Sequence, residues 1–374
     1  MIGEKWPKRQ SKYMKAALVY DRVNTFGGAE RVLLALKELF PSIDLVTSVY
    51  SPQTAKWAEG FNSVRTSFIQ NTPLPKDKHY LYPMLMPLAF EAINLNKYDL
   101  VISVSSEYAK GVLTKGDSVH IDYCLTPTRY LWSGSSHYFK NKLFRNLASP
   151  VINYLKDWDL VAANRPDLMI PISNDVKKRI DKYYKRPQGD VLFPPVDVER
   201  LKRVGKRKKS NFGEYFLIVS RLVSYKKVDL AIKAFNRIGK TLVVVGEGRQ
   251  MDQLRRISGP NIHFLGRVED RELAQLYSGA QALIFPQIED FGIVSVESQA
   301  VGTPVIAFKK GGALDTVIDG QTGIFFNRQR ITSLIRAVNR FDQNDFSPEK
   351  IVQNAQRFGK SRFQEEFRSI ISSI

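Results

Sequence analysis

The sequence predicts an α/β protein built from two parallel-sheet domains. Its 374 residues exceed what one hydrophobic core commonly serves, because chains divide into domains of about 50–200 residues. Two segments open alike, with an apolar run, a turn and a helical pattern: KAALVYD (Lys15–Asp21) before GGAERVLLALKELF, and EYFLIVSRL (Glu214–Leu222) before KKVDLAIKAFNRI. Through both halves short apolar runs alternate with longer amphipathic stretches, which is how strands joined by crossover helices read.

Taken in order, residues 1–13 are polar or basic and read as a tail before Met14. The first domain, 14–197, holds the strand candidates DLVTSVY, DLVISVS, HIDYCLT, DLMIPIS and DVLFPPV. Residues 198–213 crowd Lys202, Arg203, Lys206, Arg207, Lys208 and Lys209 together with glycines. That composition suits a solvated interdomain linker or, as a sharper alternative, an anion-binding loop. The second domain, 214–359, continues with TLVVVGEGR, IHFLGRV, ALIFPQ, TPVIAF and GIFFN as strands. The final segment, PEKIVQNAQRFGKSRFQEEFRSII, reads as two helices broken near Gly359.

Composition bounds the function classes. Apolar residues at 43% and charged residues at 25% are ordinary for a soluble globular protein. No apolar run reaches the roughly eighteen residues of a membrane-spanning helix, and the start lacks the apolar core of a secretory signal. The single cysteine, Cys124, excludes an intrachain disulfide, fits a reducing compartment, and reads as a buried structural thiol in HIDYCL. His79, His120, His137 and His263 show no ligand spacing, so no zinc site is expected. Asp157-Trp158-Asp159 has the spacing of a metal-binding turn but lies in the helical pattern INYLKDWDLVAANRPD, and reads as a helix surface. The net charge of +19 favours a polyanionic partner: nucleic acid, an anionic membrane or a phosphorylated substrate. No aromatic-basic RNA motif or recognition helix supports the first of these.

The strongest local signal is FPQIEDFGIVSVESQAVGTPVIAF. A strand ends, a turn carries Glu289–Gly292, and a helix runs on through Glu297. Ligands of open α/β sheets bind beyond the carboxyl ends of strands, and a following helix N-terminus offers unpaired N–H groups to an anion. Carboxylates at the turn and in the helix are suited to accept hydrogen bonds from sugar and ribose hydroxyls.

EDFGIVSVE resembles the glutamate–seven residues–glutamate signature of family-4 retaining glycosyltransferases, which have the GT-B fold. SRLVSYKKVDLAIKAF, VVVGEGR, FLGRVEDRELAQLYSGAQALIFP and GTPVIAFKKGGALDTVIDGQTGIFF resemble the family's other donor-side stretches in order and spacing. FGGAERVLLAL resembles the family's glycine loop, while YDLVISVSSEYAKGV with TPTRYLW, and the SYKKVDLAI stretch, resemble the branch that includes bacterial O-antigen mannosyltransferases. The resemblance implies two Rossmann-like domains facing a central cleft, with a C-terminal helix (360–374) crossing back to the N-terminal domain. It implies retaining transfer of a hexose from a nucleoside-diphosphate sugar, GDP-mannose before a UDP-sugar, with no cofactor and no metal. The leaving group and the nucleophile would share one face of the sugar, without a covalent glycosyl-enzyme.

Residue by residue, the resemblance makes Arg221 and Lys226 the grip on the diphosphate and Glu289 the contact to the donor sugar. It makes Phe291, Gly292 and Ile293 a backbone lining of the sugar and phosphates, Glu297 the ribose acceptor, and Gly27 and Gly28 an N-terminal loop that approaches the donor diphosphate. Glu289, Arg221 and Lys226 are thereby the catalytic candidates; Glu107, Lys110, Arg129 and Tyr130 are those for the acceptor side. Two departures stand out: Lys227 where many relatives have glycine, and Leu125 before Thr126-Pro127 where relatives often carry histidine. A GT-B sugar-nucleotide epimerase is the competing enzyme, and a basic nucleic-acid-binding protein the competing class.

His79–Phe90 and His137–Leu147 mix aromatic, apolar and basic residues, which suits an anionic membrane surface as well as it suits helices walling an acceptor cleft. Lys140, Lys142 and Arg145, among Tyr138, Phe139 and Phe144, are the expected membrane patch. The expected partners are a nucleotide sugar, a glycan or lipid-linked oligosaccharide acceptor, and the inner face of a membrane met from the cytoplasm, with no nucleic acid.

Overall fold

The structure is a computed structural model and describes residues 15–76, 78–133, 148–205 and 211–374. The chain divides into two compact units, one of Met1–Phe193 with Gln364–Ile374 and the other of Pro194–Phe363. The patch expected at Lys140, Lys142 and Arg145 lies outside the described residues.

The first unit runs β1 (Ala16–Tyr20), α1 (Gly28–Leu39), β2 (Asp44–Thr47), β3 (Val64–Thr66), α2 (Leu85–Glu91), β4 (Leu100–Ser105), β5 (Val119–Cys124), α3 (Ser149–Ala163), β6 (Leu168–Pro171) and α4 (Asn174–Tyr183). The second runs α5 (Val198–Val204), β7 (Tyr215–Val219), α6 (Val228–Ile238), β8 (Thr241–Val245), α7 (Met251–Arg256), β9 (Ile262–Gly266), α8 (Asp270–Gly279) and β10 (Leu283–Phe285). It continues with α9 (Ile293–Ala300), β11 (Val305–Phe308), α10 (Ala313–Thr316), β12 (Gly323–Phe326), α11 (Ile331–Arg340) and α12 (Pro348–Gln356), and α13 (Lys360–Ser372) follows. From Gln364 onward α13 belongs to the first unit, where the Gln364 amide donates to Ala35 O at 3.1 Å and to Glu38 at 2.9 Å.

Each unit holds one six-stranded sheet, β3-β2-β1-β4-β5-β6 and β12-β11-β10-β7-β8-β9, and the pairings are parallel. Counted within its own unit, each sheet has the order 3-2-1-4-5-6, in which the crossovers part at the central pair. The central strands are buried on both faces, so they read as continuous apolar runs such as LVIS and YFLIV. Helix α6 presents Val228, Ala231, Ile232 and Phe235 to β7 and β8, its glycine stop at Gly239 taking the left-handed turn.

Three readings are corrected. DVLFPPV is not a strand: Pro194 and Pro195 lack the N–H a ladder requires, and it is held by separate contacts such as Leu192 N to Pro171 O (3.1 Å), Tyr123 Oη to Leu192 O (2.8 Å) and the Val196–Gly359 bridge. The short β3, half-buried at the sheet edge, was not foreseen in NSVRTSF. The basic segment after Val196 is helical over Val198–Val204, capped by Asp197 accepting from Arg200 N at 3.1 Å.

Along β5 the residues His120, Asp122 and Cys124 share a face by period 2, and all three are wholly buried. Ser103 donates to Asp122 at 2.7 Å and lies 2.9 Å from His120 Nε2, while Ser105 reaches Asp122 at 3.0 Å. Burial pushes the Cys124 thiol well above its ordinary range, consistent with an inert structural thiol. Burial also drives His120 from 6.5 down to about 3 and Asp122 from 3.8 up to about 6.

These two displacements act in opposite senses. The unfolded chain protonates His120 near 6.5 while the fold resists until about 3, so stability is lost as pH falls through that window. Asp122 holds its proton more tightly when folded, so its ionisation costs stability as pH rises from 3.8 to about 6. The histidine gap is the wider, and urea unfolding should show falling stability on acidification below 6.5. His120→Gln should flatten that limb, and Asp122→Asn should steepen it.

Candidate active site

In the first unit the chain leaves β1 at Asp21, which is buried and gathers the turn after β4. Its carboxylate accepts from the backbone N–H of Ser106 (2.8 Å), Glu107 (3.0 Å), Tyr108 (2.7 Å) and Ala109 (2.8 Å), and from the Ser106 hydroxyl (2.9 Å). Gly27 and Gly28 follow at the exposed entry to α1, and Gly27 supplies no side-chain cap. Below them the buried Glu30 accepts from Tyr20 at 2.8 Å.

The acceptor-side candidates are differently placed. Arg22 forks onto Glu107 at 2.7 and 3.3 Å, and the Tyr130 hydroxyl lies 2.5 Å from that of Tyr108. Arg129 is half-buried in the turn after β5. Lys110 is a correction: it is wholly buried and its ammonium sits 2.7 Å from Asp159. Burial opposes its charge, but Asp159 outweighs that and holds the lysine above its ordinary value. Asp159 is a second correction, because it is not on a helix surface. It also accepts from Thr128 (2.8 Å), Trp132 (2.7 Å) and Tyr184 (2.9 Å). Asp157, two residues earlier, is exposed; an i,i+2 pair on a helix points apart, so the metal-turn spacing does not converge. Among the described residues no three His, Cys, Asp or Glu gather at one point.

In the second unit, Arg221 and Lys226 follow β7, and Glu289 follows β10, the two strands at which that sheet's crossovers part. The exposed Arg221 donates to Tyr225 at 2.9 Å. The glycine turn after β8 braces this segment: a Cβ on Gly248 would lie 2.4 Å from Leu222 O, and Leu222 N donates to Glu247 O at 2.8 Å. That close approach, and not a nucleotide fingerprint, accounts for GEGR.

Lys226 pairs with Glu289, both half-buried, and Gln287, itself buried, donates to the same carboxylate oxygen at 3.4 Å. The Glu289–Phe291 turn rests on Gly311-Gly312, where Gly312 N donates to Glu289 O at 2.9 Å. A Cβ on Gly312 would stand 2.3 Å from Phe291 Cα. The packing role of these glycines and of Gln287 was missed; the adjacent glycines after β11 were the available signal. Gly292 caps α9 at φ 95, a left-handed conformation that suits glycine. Phe291 points inward against Phe358, ring centroids 5.4 Å apart. Ile293 opens α9, and one helical turn on, Glu297 is 3% exposed and accepts from Tyr277 at 2.9 Å. A solvent-facing glutamate is thereby excluded. The unit thus assembles two cations, two carboxylates and an uncapped helix N-terminus beyond the carboxyl ends of its strands, an arrangement able to hold a polyanion next to hydroxyl groups.

Lys227, where the resemblance leads one to expect glycine, has φ 55 and ψ 30. The left-handed region costs an L-residue about 1 kcal/mol, so Lys227→Gly should raise stability by up to that amount in urea unfolding. A loss of stability would mean that the lysine side chain contributes more than its backbone strain costs.

Residues 200–358 match the family described as glycosyl transferases group 1. A GDP-mannose-dependent monoacylated alpha-(1-6)-phosphatidylinositol monomannoside mannosyltransferase of Corynebacterium glutamicum is 31% identical over 195 residues, which are 43% of this chain and 51% of that protein. A glycogen synthase of Mycobacterium tuberculosis is 34% identical over 161 residues, 40% of this chain and 38% of its own. The chain therefore spans about half or less of these relatives' length. Anabaena HepE, solved in complex with UDP, superposes with a TM-score of 0.71 at 17% identity, covering 96% of this chain and 100% of that one. The chain has the GT-B fold, and its match to the glycosyl transferases group 1 family falls within the second unit.

Proposed function

We propose that this chain is a retaining glycosyltransferase that moves mannose from GDP-mannose to a glycan or lipid-linked oligosaccharide, without a metal ion. The reading rests on the Lys226–Glu289 pair at the carboxyl end of the second sheet, followed by the buried Glu297. Departure of a nucleoside diphosphate builds negative charge, and preorganised cations with a helix N-terminus stabilise it where it forms. An ammonium has three donors; one meets Glu289, and the others are suited to the diphosphate together with the Arg221 fork. Glu289 then takes a hydroxyl of the transferred sugar. Glu297, held by Tyr277, takes a ribose hydroxyl. The mannose assignment is supported by the Corynebacterium relative's named donor, and a UDP-sugar is the second reading, supported by the UDP complex of the Anabaena neighbour.

Membrane attachment belongs to the same reading. No helix of the described residues is long and apolar enough to cross a membrane. Yet Tyr80 (59%), Leu81 (61%), Met84, Leu85 and Leu88 (53%) are exposed in one short stretch, in a chain of net charge +19. Apolar side chains so placed are suited to shallow insertion while basic residues meet anionic headgroups.

Thermal-shift titration with GDP-mannose, UDP-glucose and ADP-glucose tests the donor, since a ligand stabilises the fold it binds. A shift with none of them overturns the reading. In calorimetry with excess EDTA the wild type should keep its nucleotide affinity, and Glu297→Ala should lose about 10–100-fold, the equivalent of roughly 1.5–3 kcal/mol. Glu297→Gln retains an acceptor for Tyr277 and separates the ribose contact from the fold. Sedimentation with anionic vesicles should weaken about tenfold in the Leu81→Gln/Leu88→Gln variant and fall as salt rises; equal binding to neutral and anionic vesicles would exclude electrostatic attachment.

A further inference from the structure

We propose that Phe26 and Trp57 form a stacking platform for a pyranose ring of the acceptor. The inference rests on the glycosyltransferase reading above and adds to it a residue pair on the first unit. Phe26 is 46% exposed, on the loop between β1 and the Gly27-Gly28 entry to α1, at the carboxyl end of the sheet where open α/β proteins bind ligands.

The loop that carries it is held at several points. The Trp57 indole N–H donates to Thr25 O at 2.8 Å and the Thr54 hydroxyl to Asn24 O at 2.8 Å. Behind them Val23 N reaches Val49 O and Ser51 N reaches Val23 O, both at 2.9 Å. Phe26 stands edge-on to Trp57, centroids 6.4 Å apart at 60°, and Trp57 edge-on to Phe61, 6.3 Å apart at 77°. A large apolar side chain is thus displayed to solvent from a tethered backbone, with the indole donor already satisfied and its ring supported from behind.

A hexopyranose has the matching chemistry. One face carries axial C–H groups and is apolar, while its rim carries hydroxyls. Rigid aromatic side chains bury such a face at small entropic cost, because few torsions are frozen. The rim has partners close by. Gly27 provides no side-chain cap to α1, and N–H groups of that first turn not taken by the donor phosphates can meet hydroxyl oxygens. A Cβ at Gly27 would meet Glu30 at 3.3 Å and nothing nearer, so the approach beside Phe26 is kept low.

The test uses the full chain with octyl glycosides of mannose, glucose and galactose as acceptors and the nucleotide sugar selected by thermal shift. Phe26→Ala should raise the acceptor KM about tenfold, with kcat and donor KM little moved and the melting temperature unchanged. Phe26→Trp should restore the acceptor KM, and Phe26→Leu should not. In parallel, titration with the methyl glycosides should change tryptophan emission in the wild type and not in Trp57→Phe. An active wild type whose acceptor KM is indifferent to Phe26→Ala overturns the platform and leaves the transferase reading intact. A wild type that turns over no donor defeats that reading, and the fluorescence titration then decides the platform alone: no Trp57-dependent change refutes it. A Phe26→Ala variant that loses vesicle binding while keeping acceptor KM also refutes it, assigning the ring to lipid.

Discussion

At β1–β4 in one unit and β7–β10 in the other, adjacent parallel strands send their crossovers to opposite sides of the sheet. Nothing in the sheet itself covers the backbone beyond those strand ends, so each unit must satisfy it with something else. The two units do so differently. In the first, Asp21 accepts four backbone N–H groups of the turn after β4 and closes the opening with a carboxylate. In the second, the strand ends are joined by the Lys226–Glu289 pair, which leaves polar groups facing outward. One topology therefore yields a switch point gathered around a buried carboxylate and another that presents a charged pair.

The charged version depends on backbone approach. The turn bearing Glu289 lies on Gly311-Gly312 closely enough that a side chain at Gly312 would overlap Phe291. The loop bearing Arg221 lies on the glycine turn of β8 in the same manner. Charged side chains are thereby carried on backbone that the sheet immobilises, which is how a site gains precise placement without ordering its ligand groups afresh on each binding event.

The first unit spends its charges inward. Lys110 and Asp159 form a buried pair whose remaining hydrogen bonds come from Thr128, Trp132 and Tyr184. Such a pair contributes little net stability, but removing one partner leaves an uncompensated charge at a cost of about 3–5 kcal/mol. Its effect is to hold the turn after β5, with Arg129 and Tyr130, in one arrangement against α3 and α4. In the polar stripe along β5, Ser103 and Ser105 serve Asp122, and Ser103 also meets His120 Nε2.

By themselves, the amino acids determined the fold class, since apolar runs of strand length and helical periodicity are local properties written residue by residue. The position of the Glu289–Glu297 segment after a strand and across a helix start was legible for the same reason. Burial was not. Asp159 read as a helix-surface charge and Lys110 as an acceptor-side group, because each is polar in an ordinary helical or loop context; only packing of α3 against the turns after β4 and β5 brings them together. The strand reading of DVLFPPV failed because apolar content outweighed two prolines, and the ladder, a tertiary object, rejects them. Lys227 in the left-handed region and Gly312 beneath Phe291 belong to the same class. Their constraints come from chain distant in sequence and near in space, and a linear pattern holds no record of that distance.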